Sequence, residues 1–279
     1  MLRTHNPAFR QPVFAAPAQG ATIYQDIESV QTRPGAMTVS GAVNKTSILL
    51  LLCAAAAVGG WSLTLPVDSS GALVEPRVSP QGLMFGGAIL GLLFALATFF
   101  KPAWARITAP LYALSEGLFL GALSAMVAFM LARQDESGAL VPYTGLVMNA
   151  ALLTMGVLGA MLLAYRARIV RATEKFKMGV FAATGAVFLV YLVDIVAGLF
   201  GASLPFLHSA GPIGVGVSLV IIAIAALNLV LDFDFIETAA RNGAPKEYEW
   251  VAGVGLLVTL VWLYVEILRL LAILASRRD

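Results

Sequence analysis

The sequence is short of charge. Of its 279 residues, 12% are Asp, Glu, Lys or Arg, where a soluble domain carries about 25%. Such a chain can fill a core but cannot cover it with a polar surface, which excludes a soluble monomer and makes lipid the solvent. Cysteine is nearly missing: Cys53 stands alone, so no intramolecular disulfide can form. The two histidines, His5 and His208, are far apart and lack metal-ligand neighbours, and nothing points to zinc, haem or an iron–sulfur centre. No His-Glu-x-x-His stretch marks a zinc protease, and neither histidine is placed to activate a serine. Asp194 and Asp232 come without the Gly-x-Gly-Asp of an intramembrane aspartyl enzyme, and the last apolar segment has no lysine for retinal. No enzyme is expected, and no cofactor. A net charge of +2 without a dense basic cluster excludes nucleic acid as a partner.

What is present is apolar: 59% of the residues, with a mean hydropathy of +0.86. Seven runs, at 46–66, 82–100, 108–132, 143–165, 178–200, 212–238 and 248–275, each approach the ~20 residues that a helix needs to cross the hydrocarbon. Helix is the plausible spanning form, because each backbone N–H and C=O must be satisfied inside the membrane. The expected fold is all-α and polytopic, with residues 1–45 as a flexible cytoplasmic tail and 46–279 as a seven-helix transmembrane domain. The tail is polar and rich in proline. The first apolar run begins only near Ser47, too late for a cleaved signal. Gly87 with Gly91, and Gly117 with Gly121, are small residues at the spacing that lets helix backbones approach.

The tail and the links 101–107, 166–177 and 239–247 hold 13 of the 18 Lys and Arg. The positive-inside bias therefore places the N-terminus in the cytoplasm. Arg277 and Arg278 pull the other way.

Ionisable residues at hydrocarbon depth are costly and point to function. Glu116, Asp194, Asp232, Asp234 and Glu266 qualify, with Arg269 as the one base clearly inside a span. At ~1.5 Å per residue, Glu116 lies about 12 Å and Asp232 about 9 Å from the cytoplasmic end, and Asp194 and Glu266 lie near 24 Å. Glu266 and Arg269 are three apart and can pair as a structural ion pair, which Asp194 joins or leaves for interfacial water. Asn228 and Asp232, four apart, share a helix face. Asp234 is rotated about 200° from Asp232 and faces elsewhere. Two carboxylates brought together in low dielectric cannot both ionise easily and act as a proton sensor; ionised, they are hard oxygen ligands suited to Ca²⁺.

The stretch Ala109-Pro110-Leu111-Tyr112-Ala113-Leu114-Ser115-Glu116-Gly117-Leu118-Phe119-Leu120-Gly121 resembles the third helix of the Bax inhibitor family, YccA-like in bacteria. Leu231-Asp232-Phe233-Asp234-Phe235-Ile236 resembles its sixth-helix motif, and Leu263-Tyr264-Val265-Glu266-Ile267-Leu268-Arg269 its last helix. The extended N-terminal tail suits the bacterial branch, in the inner membrane. The resemblance implies a central C-terminal helix wrapped by the other six. It also implies a pH-sensitive Ca²⁺ leak gated by two aspartates, in the sixth and seventh helices, with a basic latch near the end of the second. Asp232 matches the first aspartate. Lys101 is the nearest match to the latch and Arg106 a weaker one. For the second aspartate, one match gives Glu266 and another gives Thr259, one carboxylate short. Depth favours Thr259, so Glu116 is expected to supply the missing acid to Asp232, the two serving as candidate metal ligands. A non-transporting regulator that binds another membrane protein, such as a quality-control protease, is the alternative.

Overall fold

Each apolar run forms a helix, and the polar residues beside it decide where it starts. A computed structural model of the protein describes residues 35–65, 76–134, 140–201, 204, 209 and 211–277. Most of the expected tail, together with His5, His208 and Arg278, lies outside these residues. The helices are α1 (Val39–Thr64), α2 (Pro80–Phe100), α3 (Ala105–Met130), α4 (Thr144–Arg166), α5 (Glu174–Leu199), α6 (Pro212–Arg241) and α7 (Tyr248–Ser276). All seven are long and apolar enough to cross a membrane, and the protein is an integral membrane protein with seven spans.

Helix α1 begins seven residues before the apolar run. The Thr38 hydroxyl caps it, accepting from the Gly41 N–H at 2.9 Å, so the polar first turns are helical as well. Ser79 and Thr173 cap α2 and α5 in the same way, and Pro80 and Pro212 occupy first-turn positions where a missing N–H costs nothing. Helix α6 runs on to Arg241 and stops at Gly243, whose φ of 64° is the left-handed conformation that ends many helices. Between α3 and α4 two short strands, β1 (Arg133–Gln134) and β2 (Leu140–Val141), pair antiparallel with Arg133 opposite Val141.

Helix α7 is the axis. Of its most apolar stretch 72% is buried, against 11–44% for the other helices. One stripe, Val254, Leu257 and Val261, packs on Leu49, Cys53, Ala109 and Tyr112 of α1 and α3. Another, Leu256, Leu260, Leu263 and Ile267, packs on α4 and α6 through Leu146, Ala150, Leu229 and Phe233. Lipid tails give apolar helices no reason to associate, so close approach must supply the attraction. It does so along α3: a β-carbon on Gly117 would run into the Cys53 carbonyl of α1, and one on Gly121 into that of Ala57. Gly87 of α2 likewise lies against the Ser115 carbonyl of α3. Three of the four glycines read from the sequence, Gly87, Gly117 and Gly121, sit at these contacts, and Gly91 faces the Glu116 side chain. Helix α5 differs, because Val180 is its single buried side chain.

Ahead of α1 a short strap crosses the link between α6 and α7. Ala36 bridges Pro245, the Met37 N–H donates to the Ala244 carbonyl at 2.7 Å, and the Lys246 N–H donates to that of Gly35 at 2.9 Å. Met37 is buried. Residues 36–45 are therefore built into the domain.

Candidate functional site

The α6–α7 hairpin positions the central acid. Asp232 lies nine residues before the end of α6 and Thr259 eleven after the start of α7, which sets both about 14–16 Å from the connecting link. The Thr259 hydroxyl is placed beside the Asp232 carboxyl, within its reach. Gly255, one turn before Thr259, leaves room beside the carboxyl, since a β-carbon there would stand 3.9 Å from Asp232 Oδ1. The second oxygen, Oδ2, is buried without a hydrogen-bond partner, and among the described residues no basic group pairs with Asp232. The Thr259 hydroxyl also donates to the Gly255 carbonyl at 3.3 Å. A hydroxyl has one proton, so it cannot serve both acceptors at once. With Asp232 protonated, the acid proton goes to Thr259 and the threonine proton to Gly255. With Asp232 ionised, the threonine proton turns to the carboxylate and the Gly255 carbonyl loses it. The charged form of so buried an acid is expensive without a counter-charge.

Glu116 is at similar depth, about 16 Å along α3, but on another side of α7. Its carboxylate lies against Gly91 of α2, with the Tyr112 ring beside the same glycine. No hydrogen bond or ion pair joins it to Asp232 among the described residues, and the expected pairing is not formed. No cluster of three or more His, Cys, Asp or Glu occurs among the described residues. Thr259, not Glu266, is level with Asp232.

The remaining acids are occupied elsewhere. Glu266 is buried and pairs with Arg269 at 2.8 Å, as the three-residue spacing led us to expect. Tyr191 of α5 also donates to Glu266, and its ring faces the Arg269 guanidinium at 5.7 Å. Asp194 accepts the Leu204 N–H at 2.9 Å. Asp234 turns away from Asp232, as read, and pairs with Lys177 of α5 at 2.8 Å. Asn228 and Asp232 share a face only loosely: Asn228 donates to Thr184 of α5 at 2.8 Å, while Asp232 meets α7. Of the two latch candidates, Lys101 lies over the Trp104 ring at 4.4 Å. Arg106 pairs with Glu247 at 3.0 Å, tying the first turn of α3 to the α6–α7 link. Neither of these interactions involves Asp232.

Sequence reasoning missed Glu249. Only 2% exposed, it accepts from both the N–H and the hydroxyl of Thr38 at 3.1 Å and fixes the strap to α7. Gly41 is required beside it, because a β-carbon would overlap the carboxylate. An acid in the first turn of a helix already has an ordinary explanation in the helix dipole, so nothing in the sequence marks it out. Tyr165, which donates to Glu237 at 2.6 Å, and Ser124, bonded to Tyr264 at 2.7 Å, were equally silent.

No curated protein matches this chain. The family model described as Bax inhibitor 1 like matches residues 6–276, a span that takes in all seven helices and the hairpin carrying Asp232 and Thr259. The chain belongs to the Bax inhibitor 1-like family.

Proposed function

We propose that the protein is a pH-sensitive cation leak, with calcium as the ion, in the bacterial inner membrane, gated by protonation of buried carboxylates. The N-terminus is cytoplasmic in this reading, and the protein catalyses no reaction. One observation carries it: the buried Asp232 carboxyl has an unpartnered oxygen and stands beside a threonine whose hydroxyl serves the backbone of α7. Loss of the acid proton redirects the threonine hydroxyl and leaves a charge that needs water or a cation. Both demands fall on the interface between α6 and the central helix. Asp232 is thus the sensor, and its ionised oxygens are hard donors of the kind Ca²⁺ takes.

The test is influx into liposomes holding a Ca²⁺ dye, recorded from pH 6 to 8 with the purified full chain. The parent should show pH-dependent influx, Asp232→Asn should lose the pH dependence, and Glu116→Gln should keep it. Influx no faster than in empty liposomes, from protein shown to be folded, would overturn the reading.

The strap favours a second reading, a non-transporting regulator that binds a membrane protease through its tail. Gly35 and Met37 are bonded directly to the α6–α7 link and Thr38 to the first turn of α7, so a partner holding the tail would act on that hairpin. Deleting residues 1–33 should then abolish the partner's response and leave influx untouched.

A further inference from the structure

Helix α5 is held to the bundle by polar contacts. Lys177, Thr184 and Tyr191 are seven residues apart and so lie on one face. Each meets a polar partner: Asp234 and Asn228 on α6, then Glu266 on α7. Steps of two turns spread these contacts over about 21 Å of a hydrocarbon core about 30 Å thick. Helix α5 therefore leans across the hairpin, from α6 at the basic end to α7 at the other. Apolar packing adds little, since Val180 alone is buried and Leu189 and Val193 are largely exposed.

Two clefts lie along the same line. One, about 340 Å³, is lined by Lys177, Phe181, Asp234 and Phe235 between α5 and α6. The other, about 420 Å³, is lined by Thr184, Tyr191, Trp262, Glu266 and Arg269 between α5 and α7. Thr184, whose hydroxyl accepts from Asn228, lines the second cleft about one turn beyond Phe181 of the first.

We propose that α5 is the movable wall of a polar lane, and that cations cross the membrane between it and the α6–α7 hairpin when it swings aside. The proposal rests on the leak reading above and names its route. Helix α5 supplies the Lys177 ammonium to Asp234 and the Tyr191 hydroxyl to Glu266, which also has its pair with Arg269 on α7. Moving α5 frees the Asp234 carboxylate and the Asn228 amide to face the gap, with the Glu266–Arg269 pair beyond them at the far end. The freed oxygens are hard ligands that a partly dehydrated cation can use in turn. With α5 seated, Lys177 acts as a built-in occupant and the lane is shut. Asp232, on the α7 side of α6, is close enough to bias the hairpin without lying in the lane.

The test uses the full chain with Cys53→Ser, carrying Thr184→Cys or, for comparison, Leu189→Cys, which is 59% exposed on the outer face of α5. Both are treated in liposomes with a water-soluble quaternary-ammonium methanethiosulfonate. Thr184→Cys should react at least about tenfold faster, because the reacting thiolate needs water around it, and the attached cation should block Ca²⁺ influx. Val187→Cys, in the second cleft, should behave in the same way and stands in if Thr184→Cys does not fold. Equal reactivity at the inner and outer positions would overturn the lane. So would full modification with influx unchanged, an outcome that leaves the leak itself standing. A parent without influx would sink the leak reading, while the reactivity comparison would still decide whether the seam opens.

Discussion

Replacing Glu249 by alanine should unfasten the strap. Both hydrogen bonds from Thr38 end on the same carboxylate oxygen, Oε1, at 3.1 Å. Each is worth about 1 kcal/mol net, and a buried donor left unmet costs roughly 1–3 kcal/mol. Glu249→Ala should therefore lose about 2–4 kcal/mol. Glu249→Gln keeps an oxygen in the same place and should lose less than about 1 kcal/mol. Thr38→Val falls between them, at about 1–2 kcal/mol, since it also removes the cap on the Gly41 N–H. Unfolding in mixed micelles, followed by tryptophan fluorescence, gives the order of the three. Limited proteolysis of the folded protein gives the location: residues 35–38 should become cleavable in the alanine variant and stay protected in the glutamine variant. If the alanine and glutamine variants agree within about 0.5 kcal/mol, the spread of an ordinary surface change, the strap is not held by this carboxylate.

Three further outcomes follow from other contacts. Gly121→Val should cost about 1–3 kcal/mol by overpacking, because its side chain would meet the Ala57 carbonyl and the Trp61 N–H of α1; unchanged micellar unfolding would refute the close approach. Arg269→Met should cost about 3–5 kcal/mol by leaving the buried Glu266 carboxylate uncompensated, and adding Glu266→Leu should recover most of it; a double variant no better than the single would show that the pair is not the unit. Asn228→Ala should change stability by less than about 1 kcal/mol, as membrane interhelical hydrogen bonds commonly do, yet raise Ca²⁺ influx by loosening α5. Influx at or below that of the parent would count against the movable wall.

The seven spans were legible because lipid demands long apolar runs, and a run of that kind is visible residue by residue. Their ends were less so. Val39 to Lys45 read as tail, but a threonine cap and the contact with Glu249 make them helix. Depth was legible as well, and it matched Thr259 to Asp232 and set Glu266 apart. Direction around each helix was legible only within a helix: Asp234 faces away from Asp232, and Glu266 reaches Arg269. The pairing of Glu116 with Asp232 failed at this point. Both acids lie at one depth, but α7 has several sides, and no spacing within α3 or α6 says which side the other helix occupies. The polar face of α5 was hidden for another reason, since Lys177, Thr184 and Tyr191 are too widely spaced among apolar residues to stand out.

The spans are unequal in length. Helices α2 and α4 have 21 and 23 residues, whereas α6 and α7 have 30 and 29. That is about 32 and 35 Å against about 45 and 44 Å, across a hydrocarbon core of about 30 Å. The hairpin must tilt or protrude where its neighbours fit, and a thinner bilayer increases the tilt. Asp232 and Thr259 ride on two helices that lean together, so their contact is insulated from that change. The contacts of α5 are not, because they tie a 26-residue helix to a hairpin that overhangs it. Bilayer thickness is then expected to act on this protein in its own right: reconstitution in short-chain lipids should shear the α5 seam and leave the contact between Asp232 and Thr259 intact.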